Sequence, residues 1–168
     1  MLKKLFILLI AFAPLAAIAQ DGKVAYLNSQ EIFNAMPELA DIEKQLNTKQ
    51  EEISKNGQAV IDEFNKKAEE FEKAAATASE TTKQDHQKQL AQLQERYQLF
   101  VQNSQKEMEE LRVKLLQPVY QKIQTAIKNV GDEQKFSYIL DLASQTVVYH
   151  STTAVDATPL VKTKLNLK

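Results

Sequence analysis

Apolar residues recur three and four positions apart through 93 residues, Glu38 to Val130, a stretch holding one glycine (Gly57) and one proline (Pro118). A first run carries Leu39, Ile42, Leu46, Ile53, Val60, Phe64, Ala68, Phe71, Ala75 and Ala78. A second carries Leu90, Leu93, Tyr97, Phe100, Ser104, Met108, Leu111, Leu115, Val119, Ile123, Ile127 and Val130. That spacing predicts two long amphipathic helices with solvated outer faces. Lys49 and Gly57 stand where the first stripe would otherwise be apolar. Between the runs, residues 77–85 lose the period and gather Ser79, Thr81 and Thr82, which predicts the tip of a hairpin. With a reversal near Thr81, Phe71 faces Leu90 and Ala91, Phe64 faces Tyr97 and Phe100, and Leu46 faces Leu115 and Leu116. Apolar meets apolar throughout, so the expectation is an antiparallel coiled coil.

Short β-prone segments flank this pair. Lys23 to Leu27 alternates as a strand does. Asn28-Ser29-Gln30-Glu31 then reads as a capping box, with Ile32, Phe33 and Met36 as the apolar side of a short helix that breaks before Pro37. Pro118 predicts a kink near the base of the hairpin. Gly131 is the expected left-handed cap of the second long helix. Residues 136–142 and 146–149 read as strands joined by Ala143-Ser144-Gln145. Thr158 before Pro159 reads as the N-cap of a closing helix. The fold class expected is mainly α with a small β body: a helical hairpin arm, residues 38–118, on a β-rich base formed by residues 20–37 and 119–168.

The N-terminus changes the picture of where the chain works. Lys3 and Lys4 precede an apolar run from Leu5 to Phe12, and Ala17-Ile18-Ala19 gives a small-x-small site before Gln20. Residues 1–19 therefore read as a secretory signal peptide with cleavage before Gln20. A membrane anchor is the competing reading, but the run falls short of the roughly 20 residues a spanning helix needs, and Pro14 interrupts it. Removing Lys3 and Lys4 leaves 19 Lys+Arg against 22 Asp+Glu, a net charge near −3. That balance offers no footprint for nucleic acid. An exported chain without cysteine has no disulfide framework, so packing or oligomerisation must hold it together.

Little in the sequence suggests catalysis. His86 and His150 have no histidine or cysteine nearby at zinc-ligand spacing. Glycines 22, 57 and 131 stand alone, so no phosphate-cradling loop is expected, nor any cofactor. A two-helix rod also promises no concave pocket in which paired carboxylates would be desolvated. Phe64, Phe71, Tyr97 and Phe100 have two readings. They fill the seam between the helices, or a thin rod leaves their edges exposed for a binding partner. Gly57 either permits close approach of the two helices, the reading favoured here, or marks a flexible point. Val24, Tyr26, Ile139, Leu140, Val147 and Tyr149 are the expected core of a body shared between subunits, because short strands leave edges that need partners.

The two ends carry a resemblance. Val24-Ala25-Tyr26-Leu27-Asn28, then Ile32-Phe33 and Pro37-Glu38, resemble the opening of the Skp/OmpH family of periplasmic chaperones. Pro118-Val119-Tyr120-Gln121-Lys122-Ile123 with Ala126-Ile127 is similar to that family's return into its base. Tyr138-Ile139-Leu140-Asp141, Val147-Val148-Tyr149 and Asp156-Ala157-Thr158 complete it. The resemblance implies a homotrimer whose strands pool in one small barrel and whose three arms enclose a cavity for unfolded outer-membrane proteins, held without ATP. The chain departs from the strongly basic members of that family. Between residues 66 and 96, Lys66, Lys67, Lys73, Lys83, Lys88 and Arg96 are balanced by Glu69, Glu70, Glu72, Glu80, Asp85 and Glu95. Contact of the arms with a membrane or lipopolysaccharide thereby loses its electrostatic basis. The rival expectation is a structural or adaptor protein whose hairpin docks one envelope partner.

Overall fold

Residues 22–167 are described by a computed structural model; the expected signal segment, residues 1–19, lies outside the described residues. Strand β1 (Lys23–Leu27) leads into the short helix α1 (Ser29–Asn34). Two long helices follow, α2 (Glu38–Ala74, 37 residues) and α3 (Glu80–Gln134, 55 residues). At about 1.5 Å per residue these are rods of roughly 55 and 80 Å. The chain closes with β2 (Phe136–Asp141), a 3-10 turn at Leu142–Ser144, β3 (Val155–Asp156) and α4 (Thr158–Lys164).

The two rods form the expected antiparallel hairpin. Its tip is tighter than the sequence suggests: α3 begins at Glu80, capped by Ser79, whose Oγ accepts from the Thr82 amide at 3.2 Å. The register shifts with it. Phe71 stacks on His86 with centroids 3.7 Å apart, instead of meeting Leu90 and Ala91. Lys49 pairs with Glu107 at 3.1 Å, and Glu63 pairs with Arg96. These partners lie three to six residues earlier than expected, about one helical turn or a little more, so a stripe with that period still meets a stripe.

Helix α3 runs unbroken through Pro118. Its last third is not arm but core: Val119, Ile123, Ala126 and Val130 are buried at steps of four, three and four. They pack with Ala25, Leu27, Ile32, Met36, Ile42, Ala157 and Val161 in one cluster. The expected boundary between arm and base at 118/119 therefore falls inside a single helix.

The sheet has the order β2-β1-β3 and is parallel throughout. Parallel neighbours need a crossover, and here the crossover from β1 to β2 is the whole hairpin. Asp141 ties the crossover shut. Its Oδ1 accepts from the Ser29 amide at 3.0 Å and its Oδ2 from the Ser29 hydroxyl at 2.5 Å, 112 positions away.

Several local expectations are corrected. Asn28 Oδ1 does accept from the Glu31 amide at 3.1 Å, but Glu31 does not reach back. Its carboxylate pairs with Lys162 of α4 at 2.9 Å, and the Asn28 amide donates to Thr158 Oγ1 at 3.1 Å. The N-cap of α4 is Ala157, and the Thr158 amide donates to Asp156 Oδ1 at 2.8 Å. Gly131 stays helical; Lys135, at φ 57, takes the left-handed position that ends α3. Residues 146–149 are not a strand. The third strand is Val155–Asp156, which occupies the second edge of β1 and leaves Thr146–Tyr149 unpaired in the sheet.

Candidate functional site

An open groove of about 990 Å³ runs along one side of the hairpin. Apolar side chains from both rods and from α1 line it, together with Ser54, Gly57 and Ser104, and the Phe100 ring fills the space beside Gly57. Phe33, Leu39 and Ile42 stand at the base end, and Ile61, Tyr97 and Phe100 at the far end. The side of α2 turned away from it is different in kind, lined by Asp41, Lys44, Lys49 and Glu52.

A second apolar surface is the outer face of the sheet. Alternation sends Ala25 and Leu27 into the core, both fully buried. It sends Val24 and Tyr26 the other way, in register with Tyr138 and Leu140 of β2. Tyr138 is 69% exposed, and Val24 and Leu140 are also exposed. Parallel sheets are ordinarily covered on both faces. Here helices cover only one.

Ring stacking and charge pairing mark other points along the rod and the base. His86 and His150 are each stacked: His86 on Phe71, which also lies 5.7 Å from the Lys67 ammonium, and His150 on Tyr26 at 4.3 Å. Among the described residues, no cluster of histidine, cysteine and carboxylate side chains is placed to hold a metal. Lys49 is held above its ordinary range, chiefly by its hydrogen bond to Glu107. Glu38 is held below its own by the hydrogen bond from Lys122 at 2.5 Å, a clamp across the root of the hairpin. Burial alone would push the Asp141 carboxyl up, but the hydrogen bonds from the Ser29 hydroxyl and amide and the Ala143 amide outweigh it and hold it down.

The sequence candidates distribute unevenly. Tyr97 and Phe100 line the groove. Phe64 and Phe71 are half-buried on the rod and stand outside the groove. Of the six residues expected in a shared body, Ile139 packs against the chain's own core, while Val24, Tyr26 and Leu140 lie on the open face. Val147 is half-buried and Tyr149 is exposed, both in the unpaired segment. Tyr138 was missed, although it alternates with Ile139 and shares parity with Leu140. Ile61 and Val101 were missed too, because they flank the stripes, whereas Leu39, Ile42, Leu46, Ile53 and Met108 of the stripes line the groove beside Tyr97 and Phe100.

The fold defines the class first: a long antiparallel helical hairpin rising from a small three-stranded base. A family model described as outer membrane protein (OmpH-like) matches residues 23–165, and the chain belongs to that family. The structure is similar to a solved one from Caulobacter crescentus, described as an OmpH-like outer membrane chaperone, with a TM-score of 0.71. The two share 22% identity, covering 86% of this chain and 84% of the other, a likeness of fold. No curated protein matches the chain.

Proposed function

We propose that the chain is an ATP-independent holdase of the periplasm, exported by its first 19 residues, that keeps unfolded outer-membrane proteins from aggregating. One observation carries this reading. The hairpin presents an apolar groove to solvent along one side and a charged face on the other. The apolar side meets exposed apolar segments of a client, and the charged side keeps the loaded complex in solution. Membership of the OmpH-like family and the fold of an OmpH-like outer membrane chaperone support it.

In this reading three subunits join through the uncovered face of the sheet, with residues 20–37 and 119–168 as the body and residues 38–118 as the arms. Each groove contact is weak. Three arms on one client raise the apparent affinity through effective concentration. The client leaves when its own folding removes the apolar segments that held it, a step that requires no nucleotide. The test is breadth of binding. The immobilised protein is expected to retain several urea-unfolded outer-membrane barrel proteins and to ignore the same proteins folded in detergent. Retention of a single folded partner would favour an adaptor instead.

A further inference from the structure

We infer that the groove takes one extended client segment of strand length and reads its backbone through a row of amide side chains; this inference rests on the holding reading above. The first argument is length. The groove follows α2 from Leu39 to Ile61, 22 residue steps. At about 1.5 Å per step that is roughly 33 Å. An extended chain rises about 3.3 Å per residue, so the groove accommodates about ten residues. A membrane-spanning β-strand is about 9–11 residues long.

The second argument is chemistry. The floor is apolar, and the walls carry Asn47, Gln50, Gln58 and Gln105. Only Glu43, Glu109 and Arg112 among the lining residues are charged, so the site matches a segment with little charge of its own. Each amide side chain offers both a donor and an acceptor, the same pair that every backbone unit of an unfolded chain leaves unsatisfied. Gln58 is already oriented. Its Nε2 donates to Asp62 Oδ1 at 2.8 Å, which leaves Oε1 to accept from a backbone N–H. Alternate side chains of an extended segment would lie on the floor while its backbone meets the walls. Such recognition is indifferent to the particular client sequence, as a chaperone of many barrel proteins requires.

The test uses the full-length chain and a fluorescein-labelled ten-residue peptide of alternating leucine and threonine. A second peptide has alternate backbone amides replaced by esters. Fluorescence anisotropy is read against wild type and against the combined variant Gln50→Ala, Gln58→Ala, Gln105→Ala. These positions are exposed on helices, where alanine is a strong helix former, so the fold is retained. The variant is expected to bind the all-amide peptide at least tenfold more weakly than wild type does. The ester peptide is expected to bind wild type equally weakly and to be unaffected by the variant. Equal binding of both peptides to both proteins, or no binding to wild type, overturns the inference. Aggregation suppression by wild type, measured in parallel, separates the two levels: if it persists, only the groove inference falls; if it is absent, the holding reading falls with it.

Discussion

The ring of Phe100 rests on the bare backbone of Gly57, so close that a Cβ built at position 57 would stand 3.1 Å from Phe100 Cε1. The contact explains why a glycine is accommodated deep inside a 37-residue helix, where it forfeits about 1 kcal/mol of propensity relative to alanine. It supports close approach over a flexible point as the role of Gly57.

The coupling is measurable. Gly57→Ala alone is expected to recover only part of that roughly 1 kcal/mol, because the ring must move aside. In a Phe100→Ala background the same substitution is expected to recover all of it. Urea unfolding midpoints of the four proteins give the interaction energy. An equal gain in both backgrounds would show that ring and glycine do not constrain each other.

The register of the hairpin is a second test. Spin labels at Lys49→Cys and Glu107→Cys are expected to show strong dipolar broadening, since the native side chains meet there. Labels at Lys49→Cys and Val113→Cys, the pairing a reversal near Thr81 would bring together, are expected to show much less. The opposite ranking would restore the longer tip.

That pair of experiments also marks what the sequence makes legible. The hairpin itself is readable because its signal, a period near 3.6 over dozens of residues, is local to each helix. Its register is not, because stripes shifted by one turn still match; the tip decides, through the Ser79 cap. The third strand was misplaced for a related reason. Val147-Val148-Tyr149 has β-prone residues, but β1 has only two edges, and β2 and Val155–Asp156 take them. Gly131 looked like a helix end, yet its α-carbon faces Ile139 inside the base and the helix continues to Gln134. At the candidate site the aromatic residues were legible by type. The groove was not, because two helices line it jointly and it appears only once their register is fixed.

The open sheet face yields a third prediction. Tyr138→Glu is expected to leave the subunit folded and to lower its molar mass in solution to that of a monomer, because Tyr138 points away from the chain's own core. Ile139→Lys is expected to unfold the base, because Ile139 packs against that core. Light-scattering molar mass and circular dichroism distinguish the two. A Tyr138→Glu protein of unchanged mass would remove this face from assembly.

Asp141 links stability to acid. Its carboxyl is held below the usual range in the folded chain, so its contribution is fully present above the unfolded value of about 4 and is lost as pH falls through the lower folded value. Asp141→Asn is expected to be less stable than wild type by about 1 kcal/mol at neutral pH. The gap is expected to close below about pH 4. A gap independent of pH would mean that the Ser29 hydrogen bonds do not depend on the charge.

The holding reading is tested most directly by aggregation. A urea-unfolded outer-membrane barrel protein is diluted into buffer with three subunits of this chain per client, and light scattering is followed. The account predicts that scattering is largely suppressed and that Tyr138→Glu subunits, deprived of their assembly face, suppress it much less. Undiminished scattering in the presence of the correctly folded, assembled protein would contradict it.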